Sequence, residues 1–330
     1  MCTRILWASQ GHSRMAQGGP AQGNVLVARS MDWYQDADTI LAVRPRGVER
    51  RSMPGTPELP GDFTWTSQFG SVVALMYREA AVDGINEAGL QVSGLYLSES
   101  EYGDRDPERP GMELYWAIQC LLDCFDNVAD AVAKIRDENI QLIAEDLGGR
   151  KGTGHLALAD KDGNSAIIEF RGGKAVIHEG KQYTVMANSP WYDEQLELKE
   201  RYEGLGGDQP LPGGVDSPDR FARAAYYSAQ LPSTSDAREA AAYMFSVIRN
   251  ASAPFGTADE VRPNISTTRW RTVADLTEGR YFYESTTSPN VVWVELSQLD
   301  FSEGNPELHL DVVKETDHVG NVTDKFVPAD

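Results

Sequence analysis

The runs GHLALAD and SAIIEFR stand on either side of the tetrapeptide KDGN. Two short apolar runs joined by a Gly-containing turn specify a β-hairpin. KAVIHE and YTVMAN follow as further strands, and the same punctuation recurs toward both ends of the chain. TRILWA, GNVLVARSMDW, SVVALMY and GLQVSGLYL come before the hairpin; TTRWRTVADL, GRYFYES and NVVWVEL come last, and the acidic C-terminal tail reads as a final edge. Helical periodicity is confined to the middle. It covers MELYWAIQCLLDCF, DNVADAVAKIRD capped by Asn127, WYDEQLELKERYEG, a helix with Ser217 as N-cap and Pro218 as its first residue, and DAREAAAYMFSVIRN. The stretch GHSRMAQGGPAQG reads as a flexible loop. No internal repeat, coiled coil or long linker divides the chain, so residues 1–330 are expected to form one α+β domain of layered sheets and helices.

Composition removes several classes of function. With 50 acidic and 30 basic side chains the formal charge is −20, which argues against nucleic acid or an anionic membrane as partner. The apolar runs are far shorter than the roughly 20 residues of a spanning helix, and no charged-then-apolar leader opens the chain. The expected location is therefore the cytoplasm, or the periplasm or exterior if a signal peptide has been removed. Three cysteines, Cys2, Cys120 and Cys124, are too few for a disulfide framework. Cys120 and Cys124 lie four apart on an apolar helical face and read as small core residues. The five histidines, His12, His155, His178, His309 and His318, are scattered without ligand spacing, so neither a metal nor another cofactor is expected.

The start MCTRILWASQ places a thiol second in the chain. Removal of Met1 would give Cys2 a thiol and a free α-amine together, a nucleophile with its own base. A cysteine half-buried at the start of a first strand accounts for the same letters. In VLVARSMDW, Arg29 and Asp32 end an otherwise apolar run, where each needs a partner. A structural ion pair would serve. Strict alternation sets the two on opposite faces, so a shared site calls for a turn or bulge between them. Asn188, in TVMANSPWYD, suits a turn before proline and equally a fixed amide donor. Arg220, in SPDRFARAAY, falls in the first turn of a helix, where its charge opposes the macrodipole and something else must hold it.

Taken together, MCT, ARSMDW, DGINEAGL, VMANSP and DRFARAAY, with SVIRNAS and TTRWRTV later, resemble the choloylglycine hydrolase family. That family includes the penicillin V acylases and the conjugated bile salt hydrolases. The segments span nearly the whole chain in the family's order. The phrases SMDW, SAIIE and TTRWRTV are most similar to the penicillin V acylases that also accept N-acyl homoserine lactones.

The resemblance implies an N-terminal nucleophile hydrolase with a four-layer αββα sandwich. It implies Cys2 as nucleophile with its α-amine as base, Arg29 beside the thiol, and Asp32 orienting the cysteine. Asn188 becomes the side-chain oxyanion donor, and Arg220 completes the polar network. Tyr96, in GLYL, stands where bile-salt members carry Asn and penicillin V acylases an aromatic residue, so its backbone N–H would be the second oxyanion donor. Its ring suits an apolar or aromatic acyl group, and Trp33 would join it in the acyl pocket unless both are simply core. The expected partner is a small N-acyl amide, with a conjugated bile salt hydrolase or a non-catalytic binder of acylated molecules as alternatives. Gln10–Gly23 is longer than is usual in the family and would overhang the site. The segment between Asn188 and Arg220 is short beside the loop that braces bile-salt tetramers, which leaves a homo-oligomer, dimer or tetramer, open.

Overall fold

A computed structural model describes residues 2–9, 23–52, 63–137, 139–144, 151–201, 209–257 and 266–329. Met1 and most of the connection Gln10–Gly23 lie outside them, as does the end of the helix expected over WYDEQLELKERYEG.

Strand-forming runs assemble into two large sheets. The seven-stranded sheet runs, in spatial order, Val185–Ala187, Cys2–Ala8, Val25–Trp33, Thr267–Asp275, Arg280–Ser285, Val291–Glu295 and Gly320–Asn321. The nine-stranded sheet runs Lys174–Glu179, Ser165–Arg171, Gly154–Ala159, Gln91–Tyr96, Ala80–Asn86, Ser71–Met76, Ile40–Arg44, Leu308–Leu310 and Val327–Pro328. Helices α1 (Leu114–Cys124) and α2 (Val128–Arg136) cover the nine-stranded sheet. Against the other sheet pack α4 (Ser217–Ala229) and α5 (Ala237–Asn250), with α3 (Tyr192–Arg201) against α4. The order is helix, sheet, sheet, helix, an α+β sandwich of four layers.

Burial on both faces explains why the strands read as nearly continuous apolar runs rather than as alternating ones. In Ile40–Arg44, Leu41 and Val43 join the core between the sheets, while Ile40 and Ala42 join a second core beneath α1 and α2. All nine residues of Val25–Trp33 are buried. The KDGN hairpin closes with Ala159 opposite Ser165, Gly163 at φ 76°, and Asp160 Oδ1 accepting from the Asp162 and Asn164 amides.

Asn127 caps α2 by accepting from the Asp130 amide. For α4 the cap is Asp216, one residue before the expected Ser217, and Ser217 and Pro218 form the first turn. At the second helical position the missing N–H of Pro218 costs no intrahelical bond, since the first four N–H groups of a helix have no partner within it.

The C-terminal strand Leu308–Leu310 is fixed by charge beside its pairing to Ile40–Arg44. Glu307 meets Arg44 at 3.1 Å, Arg50 at 3.8 Å and His309 at 3.1 Å. Burial alone would raise the Glu307 carboxyl; His309 and the two arginines outweigh it and hold it at about 2. A carboxyl depressed from 4.5 stabilises the fold above that pH, and the contribution is lost as pH falls toward 2. Glu307→Gln should therefore melt below the parent at pH 6, and thermal melts should show the gap narrowing once the pH drops below 4.5.

Candidate active site

Antiparallel pairing places Cys2 opposite Met31 and Arg4 opposite Arg29 along the first two strands. Side chains two apart share a face, so the Cys2 thiol and Arg29 both point between the sheets. Arg29 Nη2 lies 3.7 Å from Cys2 Sγ and donates to the Gly94 carbonyl at 2.7 Å. Nη1 donates to the Val82 carbonyl and lies 3.9 Å from Asp83. The strands Ala80–Asn86 and Gln91–Tyr96 pair only as far as Asp83 and Ser93, and beyond that point the Arg29 guanidinium bonds to both. The aromatic face of Trp270 lies 5.1 Å from the guanidinium carbon.

Asp83 is itself buried and fully answered. One oxygen accepts from Gln91 at 2.8 Å and Ser93 at 2.6 Å, the other from Thr272 at 2.9 Å and Tyr281 at 2.6 Å.

Asp32 faces the opposite way, toward the helix layer. Its Oδ1 accepts from Thr268 at 2.6 Å, and Arg220 Nη1 of α4 stands 3.6 Å from Oδ2. No turn between Arg29 and Asp32 is needed to bring them to one site. Cys2 ends its strand, so Arg29 reaches its sulfur from one face of the sheet while Arg220 reaches its backbone from the other. The irregularity in pairing lies instead on the neighbouring strand, between Thr268 and Trp270.

Arg220 carries the network. It donates to the Cys2 carbonyl at 2.6 Å, Thr3 Oγ1 at 2.5 Å, the Val215 carbonyl at 2.9 Å and Asn188 Oδ1 at 2.9 Å. These acceptors outweigh the opposing helix dipole. Burial lowers its guanidinium from the usual arginine range, and the charges of Asp32 and Cys2 work against that.

Asn188 stands just beyond the edge strand Val185–Ala187. Its Oδ1 accepts from Arg220 and from the Cys2 nitrogen, and its Nδ2 donates to the Tyr96 carbonyl at 2.5 Å. A guanidinium can only donate, which sets the amide's orientation: oxygen toward Arg220, nitrogen toward Tyr96.

Cys2 opens onto an apolar pocket between the sheets and α1, walled by Met31, Trp33, Tyr96, Leu114 and Ile118. Its cavity volume is about 70 Å³. A larger cavity of about 240 Å³, under α1 and α2, touches none of the site residues. Trp33 and Tyr96 lie edge to face at 5.9 Å, and Trp33 Nε1 donates to the Tyr77 hydroxyl at 2.8 Å. Gly94 lets α1 come close: a Cβ there would lie 2.5 Å from Ile118 Cδ1. Cys120 and Cys124, expected in the core, are half-buried on α1 and line the larger cavity.

The structure thus brings together Cys2, Arg29, Asp32, Asn188 and Arg220, with Trp33 and Tyr96 on the pocket wall. Sequence reasoning missed Thr3, Met31 and Thr268, although Thr3 and Thr268 sit inside the matched segments MCT and TTRWRTV. Asp83 likewise lies in DGINEAGL, where an acid in an otherwise apolar strand was the available signal.

A family model described as linear amide C–N hydrolases, choloylglycine hydrolase family, matches residues 17–314. The chain belongs to the choloylglycine hydrolase family. Family membership makes it a hydrolase of linear amide C–N bonds. A penicillin V acylase of Pectobacterium atrosepticum is 38% identical over 328 residues, covering 92% of this chain and 86% of that protein. A bile salt hydrolase/transferase of Bifidobacterium longum is 25% identical over 245 residues, covering 65% of this chain and 73% of that protein. Among solved structures, penicillin V acylase from Agrobacterium tumefaciens superposes with a TM-score of 0.88 at 39% identity, covering 100% of this chain and 98% of that one. A conjugated bile acid hydrolase variant from Clostridium perfringens reaches 0.76 at 18% identity, covering 94% and 96%, a likeness of fold alone. The architecture of this choloylglycine hydrolase family member is that of the N-terminal nucleophile hydrolases. Among the described residues no helix is long and apolar enough to cross a membrane.

Proposed function

We propose that the chain is a cysteine N-terminal nucleophile amidohydrolase of penicillin V acylase type, active also on N-acyl homoserine lactones. The observation that carries this reading is the placement of the Cys2 thiol against Arg29 on one side and an apolar pocket on the other.

After loss of Met1, the α-amine of Cys2 takes the thiol proton, directly or through one water, and the sulfur attacks the acyl carbonyl. Arg29 gives the thiolate a counter-charge. The protonated amine then delivers its proton to the leaving nitrogen as the C–N bond breaks, and water hydrolyses the thioester to release the acid. Asn188 Oδ1, which accepts from the Cys2 nitrogen, keeps the amine in register, with Arg220 and Asp32 behind it.

Two donors serve the oxyanion. Asn188 Nδ2 has two hydrogens, of which Tyr96 takes one. In a strand the N–H and C=O of one residue point the same way; the Tyr96 carbonyl accepts from Asn188, which supports the Tyr96 N–H as the second donor. Each such donor is worth about 2.7–4 kcal/mol in the transition state.

The narrow slot beside Trp33 and Tyr96 suits an aryl ring or a straight chain better than a fused steroid. A hydrolysis panel tests the substrate class: penicillin V, N-acyl homoserine lactones of several chain lengths, and glycine- and taurine-conjugated bile acids. Cleavage of the first two groups with little of the third is expected. Preference for bile acids would overturn the substrate reading, and inactivity on all would point to another N-acyl amine.

A further inference from the structure

Asn188 leaves the sheet at its edge, where a strand has no neighbour to answer its outer N–H and C=O groups. Ala187 pairs inward with Thr3, and among the described residues no strand lies on its other side. A side chain takes that place. Gln195, in the first turns of α3 and wholly buried, accepts from the Ala187 N–H at 3.1 Å through Oε1. Its Nε2 donates to the Asn188 carbonyl at 2.8 Å and the Pro190 carbonyl at 2.6 Å, with the Ala187 carbonyl at 3.5 Å. A carboxamide carries the same donor and acceptor as a peptide group, so one side chain stands in for a missing strand across the three residues that present Asn188. The start of α3 is anchored in turn, because the Tyr192 amide donates to the buried Glu169 carboxylate at 2.9 Å.

We propose that Gln195 is a positioning residue for catalysis: by clamping the backbone on both sides of Asn188 it aims the Nδ2 donor at the oxyanion. It touches neither substrate nor thiol, and its effect passes through Asn188. The proposal rests on the reading of Asn188 as oxyanion donor. Arg220 holds the Asn188 side chain from one end, but only Gln195 bonds to that residue's backbone carbonyl among the side-chain contacts described. Loss of the clamp frees the main chain to shift, and a displacement of about 1 Å can cost on the order of 100-fold in rate.

The test compares Gln195→Leu, Gln195→Glu and Asn188→Leu in the full-length, Met1-processed enzyme on a substrate that it cleaves. Gln195→Leu should lower kcat by about 10- to 100-fold with KM within about twofold, while Cys2, held by Arg29 on its sulfur and by Arg220 on its carbonyl, stays open to alkylation by iodoacetamide. Gln195→Glu supplies a second readout. A carboxylic acid can donate to the Asn188 or Pro190 carbonyl, whereas a carboxylate facing them cannot, so the ratio of variant to parental kcat should fall as pH rises. That ratio divides out the titration of the catalytic amine, and circular dichroism showing a folded variant at each pH separates positioning from loss of stability. If Gln195→Leu does not fold, the pH ratio of Gln195→Glu decides alone.

Collapse of Asn188→Leu with parental kcat in Gln195→Leu, or a flat ratio near one in Gln195→Glu, would overturn the proposal and leave the oxyanion reading intact. Full activity in Asn188→Leu would overturn the oxyanion reading, and the proposal with it.

Discussion

Cys2→Ala is expected to lose amide hydrolysis by at least about four orders of magnitude, since loss of the nucleophile in comparable machinery costs on the order of 10⁶ in kcat. The fold should survive. Cys2 ends its strand at 1% exposure, and its sulfur lies 3.7 Å from Arg29 Nη2 and 3.6 Å from Met31 Sδ. The backbone contacts that hold the site, from Arg220 to the Cys2 carbonyl and from the Cys2 nitrogen to Asn188, do not involve the sulfur. Circular dichroism and a melting temperature close to the parent's, beside absent turnover of a substrate the parent cleaves, would together make the sulfur the reacting atom. Residual turnover within tenfold of the parent would place the nucleophile elsewhere.

A second large effect is expected at the main-chain nitrogen. A variant with one residue inserted between Met1 and Cys2, chosen so that the initiator is retained, converts the catalytic amine into an amide. An amide nitrogen has no basic lone pair to take the thiol proton. Turnover should fall by about 10²–10⁴-fold, the usual contribution of a positioned general base, with the thiol still present and open to alkylation. Because Asn188 Oδ1 already accepts from this nitrogen in the unprocessed chain, the extension should leave the network of Asn188, Arg220 and Asp32 in place. Hydrolysis by the extended protein at the parental rate would mean that another group accepts the proton.

Strand pattern and turn chemistry made much of the fold legible. Apolar runs buried on both faces announced the sheets, the KDGN turn announced its hairpin, and Asn127 announced the start of α2. The strands Ile40–Arg44 and Ala80–Asn86 were not read as strands, because a five-residue run and one interrupted by Asp83 and Gly84 carry a weak periodic signal. The cap position of α4 lies one residue before the expected Ser217, and Asp216 at that position makes no side-chain bond to the helix, so no capping chemistry in the sequence marks the boundary.

The site was legible as residues and not as geometry. Arg29 and Asp32 each demanded a partner, but their partners, Asp83, Thr268 and Arg220, come from elements far along the chain. Alternation placed the two on opposite faces correctly; what it could not supply is that Cys2, at the end of its strand, is reached from both. Gln195 carried no signal at all, since a glutamine in an acidic helix is ordinary until the helix is docked against a sheet edge.

On the proposed mechanism the working enzyme begins at Cys2 and uses that residue's amine and thiol together. Intact-protein and N-terminal peptide mass spectrometry on a preparation whose active fraction has been titrated tests it most directly. The fraction of chains lacking Met1 should equal the active fraction. Full activity per mole from chains with Met1 intact would contradict it.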